Sequence, residues 1–277
     1  MPRSDLELIR LAEHVEARAT ESYAEAAPAE IAGKLGLAGE RIGPIYRLEA
    51  AHVDVLAFNR AFNIGMDGPA REEELDRIDA AFVASHVPRY FVQIAPGAGP
   101  AAISDWLTAR GFKIHNRWMR LARDPAAPIP VGAVPQGWRV EHIGTDEADA
   151  FAAIDARGFG YPREVEPWTA ALVGRPGWRH YMAFDGDIPV GTGAMFTEDQ
   201  VGWFGFAATL EAYRGRGVQS SLIAFRLAEA RLLGLETIVV ETAEDLPERP
   251  APSYRNLIRL GFRTLYARDN WIRHTTG

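Results

Sequence analysis

Residues 213–221 read Tyr-Arg-Gly-Arg-Gly-Val-Gln-Ser-Ser and join an apolar run to the amphipathic segment 221–234. Gly215 and Gly217 allow a backbone to come close to a ligand. The first amides of a helix have no internal acceptor and stand at the positive end of its dipole, so a helix opening here presents donors to an anion. Arg214 and Arg216 add positive charge beside them. Strand, glycine turn and helix in that order make a holder for phosphate oxygens, although an ordinary surface turn fits the same letters. Two nucleotide motifs are excluded. The ATPase loop needs a Gly-Lys-Ser/Thr ending, and the two lysines, Lys34 and Lys113, lie in the other half of the chain. The dinucleotide fingerprint needs a third glycine where Ser220 stands, and its strand must open a βαβ unit.

The elements around the turn follow from periodicity. HYMAFDGD, IPVGTGAMF and VGWFGFAAT read as three strands, with Asp185-Gly186 and Glu198-Asp199 at the corners of an antiparallel meander. SLIAFRLAEARLLG is a helix ending at Gly234, TIVVETA a buried strand, SYRNLIRLGF a helix and FRTLYARDNWI the last strand region. WRVEHI and DEADAFAAIDARGF supply a strand and a helix ahead of the meander. The first half is also mixed. It opens with an amphipathic helix through Leu6, Ile9, Leu11, Val15 and Ala19, then gives the strands IYRLE and VLAFNRAFNI. A helix with Glu72, Glu73 and Glu74 in its first turn follows, then the strand RYFVQIA, the helix AAISDWLTARGF and the strand RWMRLAR. Four prolines in DPAAPIPVGAVPQG mark a connector, so the domains are expected at 1–124 and 138–277 with a linker at 125–137.

Composition bounds the chemistry. The 277 residues are 47% hydrophobic and 24% charged, enough for two folded domains. A net charge of −7 lacks the basic stripe of a nucleic-acid binder. Without cysteine there is no thiolate metal site or thiol nucleophile, and none of the seven histidines has another at helical ligand spacing, so no metal is expected. No run approaches the ~20 apolar residues of a membrane span and the first residues lack a signal peptide's apolar core, so a cytoplasmic protein with no membrane partner is expected. The preference for arginine over lysine, with many alanines, fits a GC-rich bacterial genome.

The run ATLEAYRGRGVQSSLI, followed by GLETIVVETA and SYRNLIRLGF, resembles the acetyl-CoA segment of the GNAT N-acetyltransferases, whose signature is Arg/Gln-x-x-Gly-x-Gly/Ala. Arg214 and Gly217 fill its first two places and Gln219 replaces the last small residue. The resemblance covers about residues 138–272, and the first half is similar to the degenerate N-terminal domain of tandem members, without a phosphate turn. It implies an α/β (α+β) fold class: two tandem GNAT folds, each a mixed, mainly antiparallel sheet flanked by helices. It further implies acetyl-CoA as co-substrate and a small-molecule primary amine as acceptor, and leaves room for a homodimer. Ala207, Ala208 and Thr209 would pair with the pantetheine arm, and the amides of Gly215, Arg216, Gly217, Val218, Gln219 and Ser220 would hold the pyrophosphate.

Direct attack by an amine needs a base for the ammonium proton, donors for the oxyanion and an acid for the thiolate. Glu241 interrupts the strand Ile238-Val239-Val240 near its end and is the candidate base, with a solvated surface carboxylate as the bland reading. His180 is a second candidate, with a structural role as its alternative, and Glu211 beside the turn reads as solvated. The tyrosine that the family often places four residues before the Gly-Phe of the fourth helix is Leu257 here. Tyr254, one turn earlier, is the candidate acid or a packing residue. The absence of a tyrosine at position 257 does not forbid catalysis, because a thiolate leaves readily and water can protonate it. Asn256 is read as bonding CoA or a strand end, and Ser253 as the helix N-cap. Tyr161, Pro162, Trp168 and Trp178 line the acceptor site or anchor the core. The expected activity is acetyl transfer to a small amine; a CoA-responsive scaffold and the use of another acyl-CoA are the alternatives.

Overall fold

The computed structural model describes residues 4–130 and 138–275. Of the expected connector, residues 131–137 lie outside the described residues. The chain divides into two compact units, Met1–Trp118 with Leu265–Gly277, and Met119–Thr264. These units differ from the expected boundaries in two places. The division falls at Trp118/Met119, within the strand Lys113–Arg123, and the last strand is shared, with Leu265–Gly277 belonging to the first unit.

In the first unit, helix α1 (Asp5–Ala26) starts at a capping box, Glu7 N–H donating to Ser4 Oγ at 3.3 Å and Ser4 N–H to Glu7 Oε2 at 2.6 Å. A short α2 (Ala29–Leu35) and strands β1 (Leu37–Ile42), β2 (Ile45–Ala50) and β3 (Arg60–Phe62) follow. Helix α3 (Glu72–Ala84), strand β4 (Arg89–Ile94) and helix α4 (Ile103–Ala109) come next, then β5 (Lys113–Arg123). Most of the expected strand through VLAFNRAFNI is turns, with only Arg60–Phe62 in the sheet. Leu75, Ile78 and Phe82 of α3 pack with Leu107 of α4 on Tyr90 and Val92 of β4.

The other face of β4 carries charge. Glu13 and Glu16 of α1 are fully buried; Arg60 Nη1 donates to Glu16 at 2.9 Å and to Gln93 at 3.2 Å. The remaining partners come from the last strand, β11 (Arg263–His274), which pairs antiparallel with β4 from Asp269↔Ile94 to His274↔Arg89. Arg268, 0% exposed, reaches Glu16 at 2.6 Å and Glu13 at 3.2 Å, Tyr266 donates to Glu13 at 2.5 Å, and Gln93 donates to Asn270 at 2.6 Å. These bonds explain why the last strand sorts with the first unit: two carboxylates buried on α1 need the guanidinium that β11 brings.

The second unit opens with β6 (Arg139–Ile143), helix α5 (Ala148–Phe159) and the short α6 (Glu166–Ala170). The meander β7 (Trp178–Asp185), β8 (Ile188–Glu198) and β9 (Val201–Gly205) turns at Gly186 and Asp199, both at positive φ. Helix α7 (Val218–Leu232), strand β10 (Thr237–Ala243) and helix α8 (Pro252–Arg259) complete it. Strands β6 to β9 are antiparallel neighbours, and β10 joins β9 in parallel. Val218, Leu222 and Leu227 of α7 pack with Tyr181, Met195 and Phe204 on one sheet face. Arg226 of α7 is buried there, donating to Ala194 O at 3.0 Å with its guanidinium 4.3 Å from the Phe204 ring. Helix α5 lies on the opposite face, with Phe151 4.9 Å from the His180 ring.

Replacing Arg268 by alanine leaves two buried carboxylates short of a cation and is expected to cost about 3–5 kcal/mol of stability. Denaturant unfolding measures this, and a loss below about 1 kcal/mol would show that the cluster does not hold the first unit.

Candidate active site

Strands β9 and β10 keep parallel register from Val201↔Thr237 to Phe204↔Val240 and are not paired beyond that point. Phe206 takes φ +51, an unusual conformation for a bulky residue, and the chain then pairs again with β8. Thr209 bridges Gly191, Thr192 N–H donates to Ala208 O at 2.9 Å, and Leu210 N–H donates to Val190 O at 3.0 Å. The Thr192 hydroxyl ties the irregular step, donating to Phe206 O at 3.0 Å and accepting from Ala208 N–H at 3.3 Å. Backbone groups alternate sides along a strand, so Ala207 and Thr209 turn theirs toward the side that β10 has left. Ala208, expected to act with them, bonds β8 instead.

Past Leu210 a 3-10 turn, Glu211–Tyr213, leads into the glycine turn. Gly215 and Gly217 have φ +73 and +87, and Gly217 is the N-cap of α7. Arg214 N–H is taken by Glu211 O, and the next amide bonded to backbone is that of Ser221, to Gly217 O at 3.0 Å. Among the described residues the amides of Gly215, Arg216, Gly217, Val218, Gln219 and Ser220 have no backbone acceptor. The arginines do more than add charge. Arg214 donates to Thr209 O at 3.3 Å and Gly158 O at 3.4 Å, fastening the turn to the preceding strand and to α5. The Arg216 guanidinium stands 5.3 Å from the Trp138 ring and 5.1 Å from that of Tyr213, while Trp138 Nε1 donates to Arg216 O at 2.8 Å. In the first unit, by contrast, α3 opens with Glu72, Glu73 and Glu74, whose charges oppose a phosphate.

Helix α8 braces the start of α7. Gln219 Nε2 donates to Ser253 Oγ at 2.9 Å, Asn256 Nδ2 to Gln219 Oε1 at 2.7 Å, and Arg259 to both Asn256 Oδ1 at 2.7 Å and Ser220 Oγ at 3.1 Å. Asn256 thus bonds side chains, not a strand end. The expected Ser253 cap is corrected: Ala251 is the N-cap and Pro252 the first helical residue, a position where the fixed φ of proline suits the helix and its missing amide costs no bond. Leu257 is core, and the Tyr254 hydroxyl is bonded to Thr264 Oγ1 at 2.9 Å.

Glu241 lies just past the last β9–β10 pair, and the alternation of the strand puts it on the sheet face of Val239 and Trp203. Its side chain, 18% exposed, pairs at 2.9 Å with Arg120, which is fully buried. On the same face Trp178, Phe196 and Trp203 stand opposite one another on β7, β8 and β9. Trp178 is 5.1 Å from Phe196, 6.1 Å from Trp203 and 5.6 Å from Phe206, forming an aromatic wall. Trp168 is instead a fully buried anchor, Tyr161 stacks on Phe159 at 5.3 Å, and Pro162 caps the 3-10 turn Arg163–Val165.

Two buried titratable groups sit under α5. His180, 1% exposed, has its pKa lowered to about 3 by burial and then by the nearby His142, so it packs as a neutral ring between Phe151 and Trp178. Asp155, absent from the sequence-based candidates, is 2% exposed with its pKa raised to about 8 by burial. A signal was available: Phe151, Asp155 and Gly158 recur at helical spacing, which puts an acid on the apolar stripe of α5.

The two groups bend stability with opposite signs. His180 binds a proton in the unfolded chain below about 6.5 but in the folded chain only below about 3, so its contribution is lost as pH falls through that window. Asp155 is protonated in the folded chain up to about 8 but ionises near 3.8 when unfolded, so it costs stability as pH rises from one value to the other. His180→Phe is therefore expected to flatten the fall in melting temperature between pH 6.5 and pH 4, measured against wild type. An unchanged slope would refute the assignment.

Residues 146–262 match the acetyltransferase (GNAT) family. Among curated proteins no sequence matches significantly. Three solved structures share the fold. A GCN5-related N-acetyltransferase from Kribbella flavida superposes with TM-score 0.60 at 22% identity, covering 90% of this chain and 94% of that one. A GCN5-related N-acetyltransferase from Sphaerobacter thermophilus gives 0.59 at 16% identity, over 84% and 77%. A tandem GNAT protein from the clavulanic acid biosynthesis pathway gives 0.53 at 16% identity, over 87% and 78%. No helix among the described residues is long and apolar enough to cross a membrane, and no group of His, Asp or Glu among them could hold a metal ion. The glycine turn and parted strands of the second unit thus lie within the stretch that matches the GNAT acetyltransferase family, and the chain as a whole shares its fold with a tandem GNAT protein.

Proposed function

We propose that the second unit transfers the acetyl group of acetyl-CoA to a primary amine of a small molecule, and that the first unit has no catalytic part. The observation that carries this reading is a pair of backbone stretches joined by the turn Glu211–Tyr213. The first is the outward backbone groups of Ala207 and Thr209, and the second is the amides of Gly215 to Ser220, which have no backbone acceptor among the described residues. An amide-bearing pantetheine arm can extend the sheet along the first stretch, and a pyrophosphate matches the second. The residues fit the group: they offer strand-edge amides for an extended chain and a helix N-terminus for its anionic end. When bound, acetyl-CoA supplies a thioester carbon open to an amine and a sulfur that leaves as thiolate.

The chain's own residues then have separable tasks. The parting of β9 from β10 gives the acceptor a way to the thioester. Glu241, held by Arg120, is the candidate to receive the ammonium proton, and that ion pair fixes its carboxylate beside the gap. The bond from Tyr254 to Thr264 ties the candidate acid to the last strand, so transfer depends on the thiolate leaving without it unless that bond opens. Gln219, Asn256 and Arg259 set the pitch of the helix start whose amides face the phosphates.

Gly217→Val imposes a left-handed backbone on a β-branched residue, at about 1–2 kcal/mol, and sets a side chain where a phosphate must approach. It is expected to weaken acetyl-CoA binding about tenfold or more in calorimetric titration. Unchanged affinity would place the cofactor elsewhere. Arg120→Met is expected to lower turnover with much smaller change in acetyl-CoA affinity, because it frees Glu241 from its fixed position. Equal turnover would remove Glu241 as the base.

A further inference from the structure

The proposed reaction gives no task to the buried Asp155. Asp155 sits on the stripe of α5 that lies on the sheet. Phe151, one turn before it, touches His180, and Gly158, nearly one turn after it, is so close to Ala208 that a Cβ there would collide with the Ala208 methyl. Asp155 therefore lies over the sheet between His180 and Ala208, beside the strand edge assigned above to pantetheine. Its Oδ1 has no hydrogen-bond partner among the described residues, although the residue is 2% exposed.

Two more buried polar atoms on the same sheet face, His180 Nε2 and Trp203 Nε1, have no hydrogen-bond partner among the described residues. The Trp203 ring folds along its own strand over Gly205, where any Cβ would strike it, and so covers the end of β9 where the strands part. Phe206 and Trp178 flank it. A carboxyl with an open oxygen on the sheet face that also carries indole and phenyl rings is the combination that recognises an ammonium group on an apolar stem.

We propose that Asp155 is the acceptor-binding carboxyl of this site, holding the ammonium of a primary amine whose apolar stem lies against Trp178, Trp203 and Phe206. This rests on the acetyl-transfer reading for its location and deepens it by naming the acceptor class, an arylalkyl or alkyl monoamine. Burial keeps the proton on Asp155 to about pH 8 in the unliganded protein. An arriving ammonium favours the ionised form, so binding releases that proton to solvent and leaves an ammonium–carboxylate pair. The cost of keeping a carboxyl buried without a partner is understandable if it is met when the acceptor binds.

The test uses the full chain, wild type and Asp155→Asn, titrated separately with tryptamine, n-hexylamine, the neutral indole-3-ethanol and acetyl-CoA. Wild type is expected to bind the two amines and not the alcohol, and Asp155→Asn to bind the amines on the order of tenfold to a hundredfold more weakly. Acetyl-CoA affinity is expected to be the same in both proteins. Asp155→Leu, which fills the site without polar atoms, serves as the second variant. Both variants are expected to melt no lower than wild type, since each removes an unpartnered buried charge site. Amine binding unchanged by either substitution, absent from wild type, or matched by the alcohol would overturn the proposal. So would a marked fall in melting temperature of both variants, which would make Asp155 structural. Loss of acetyl-CoA binding alone would instead strike the proposed function, since the amine titrations are read without it.

Discussion

Much of the second unit is arranged around the point where β9 and β10 stop pairing. Backbone donors and acceptors inside a sheet must be satisfied, so two strands cannot part without something else taking their groups. Here the release is managed locally. The positive φ of Phe206 shifts the chain, and the Thr192 hydroxyl takes up groups of Phe206 and Ala208 that the irregular step would strand. Ala207 and Thr209 are then left with their groups directed to the gap. Arg214 reaches back to Thr209 O, linking the gap to the helix start.

The two units solve the problem of buried charge in different ways. In the first, Glu13 and Glu16 are answered by Arg60 and Arg268, and the polar atoms of Gln93 and Asn270 bond one another. Such a cluster neutralises itself, and the acidic opening of α3 faces away from any role with phosphate. In the second, Arg226 donates to carbonyls of β8 and its own helix and lies on an aromatic face, and Arg120 pairs with Glu241. Asp155 is a buried carboxyl whose Oδ1 has no hydrogen-bond partner among the described residues. Unpaired buried carboxyls destabilise a fold, and they persist most readily where a ligand completes them.

His180 and Asp155 show how one helix can hold both groups uncharged near neutrality. The same low-polarity environment beneath α5 lowers the basicity of the imidazole and raises that of the carboxyl, because in each case the charged form is the one that water no longer stabilises. Around His180, aromatic packing from Phe151 and Trp178 supplies that environment.

What the sequence determined by itself is local. The meander with its corners at Gly186 and Asp199, the helices with their glycine ends, and the glycine turn before α7 are all encoded by short-range periodicity and by residues that alone tolerate a left-handed backbone. The family pattern around Arg214 and Gly217 rests on that same contiguous stretch. What only the tertiary structure decided depends on residues far apart in the chain. A strand written as the end of the second half belongs to the first unit because Arg268 answers carboxylates some 250 positions earlier. Arg120 could not be read as the partner of Glu241, nor Thr264 as that of Tyr254, since no spacing links them. Asp155 was visible as an acid on an apolar stripe, yet its meaning depends on the sheet beneath it. Periodicity reports which face of an element is buried; the partner waiting on the other side is set by the packing of the whole chain.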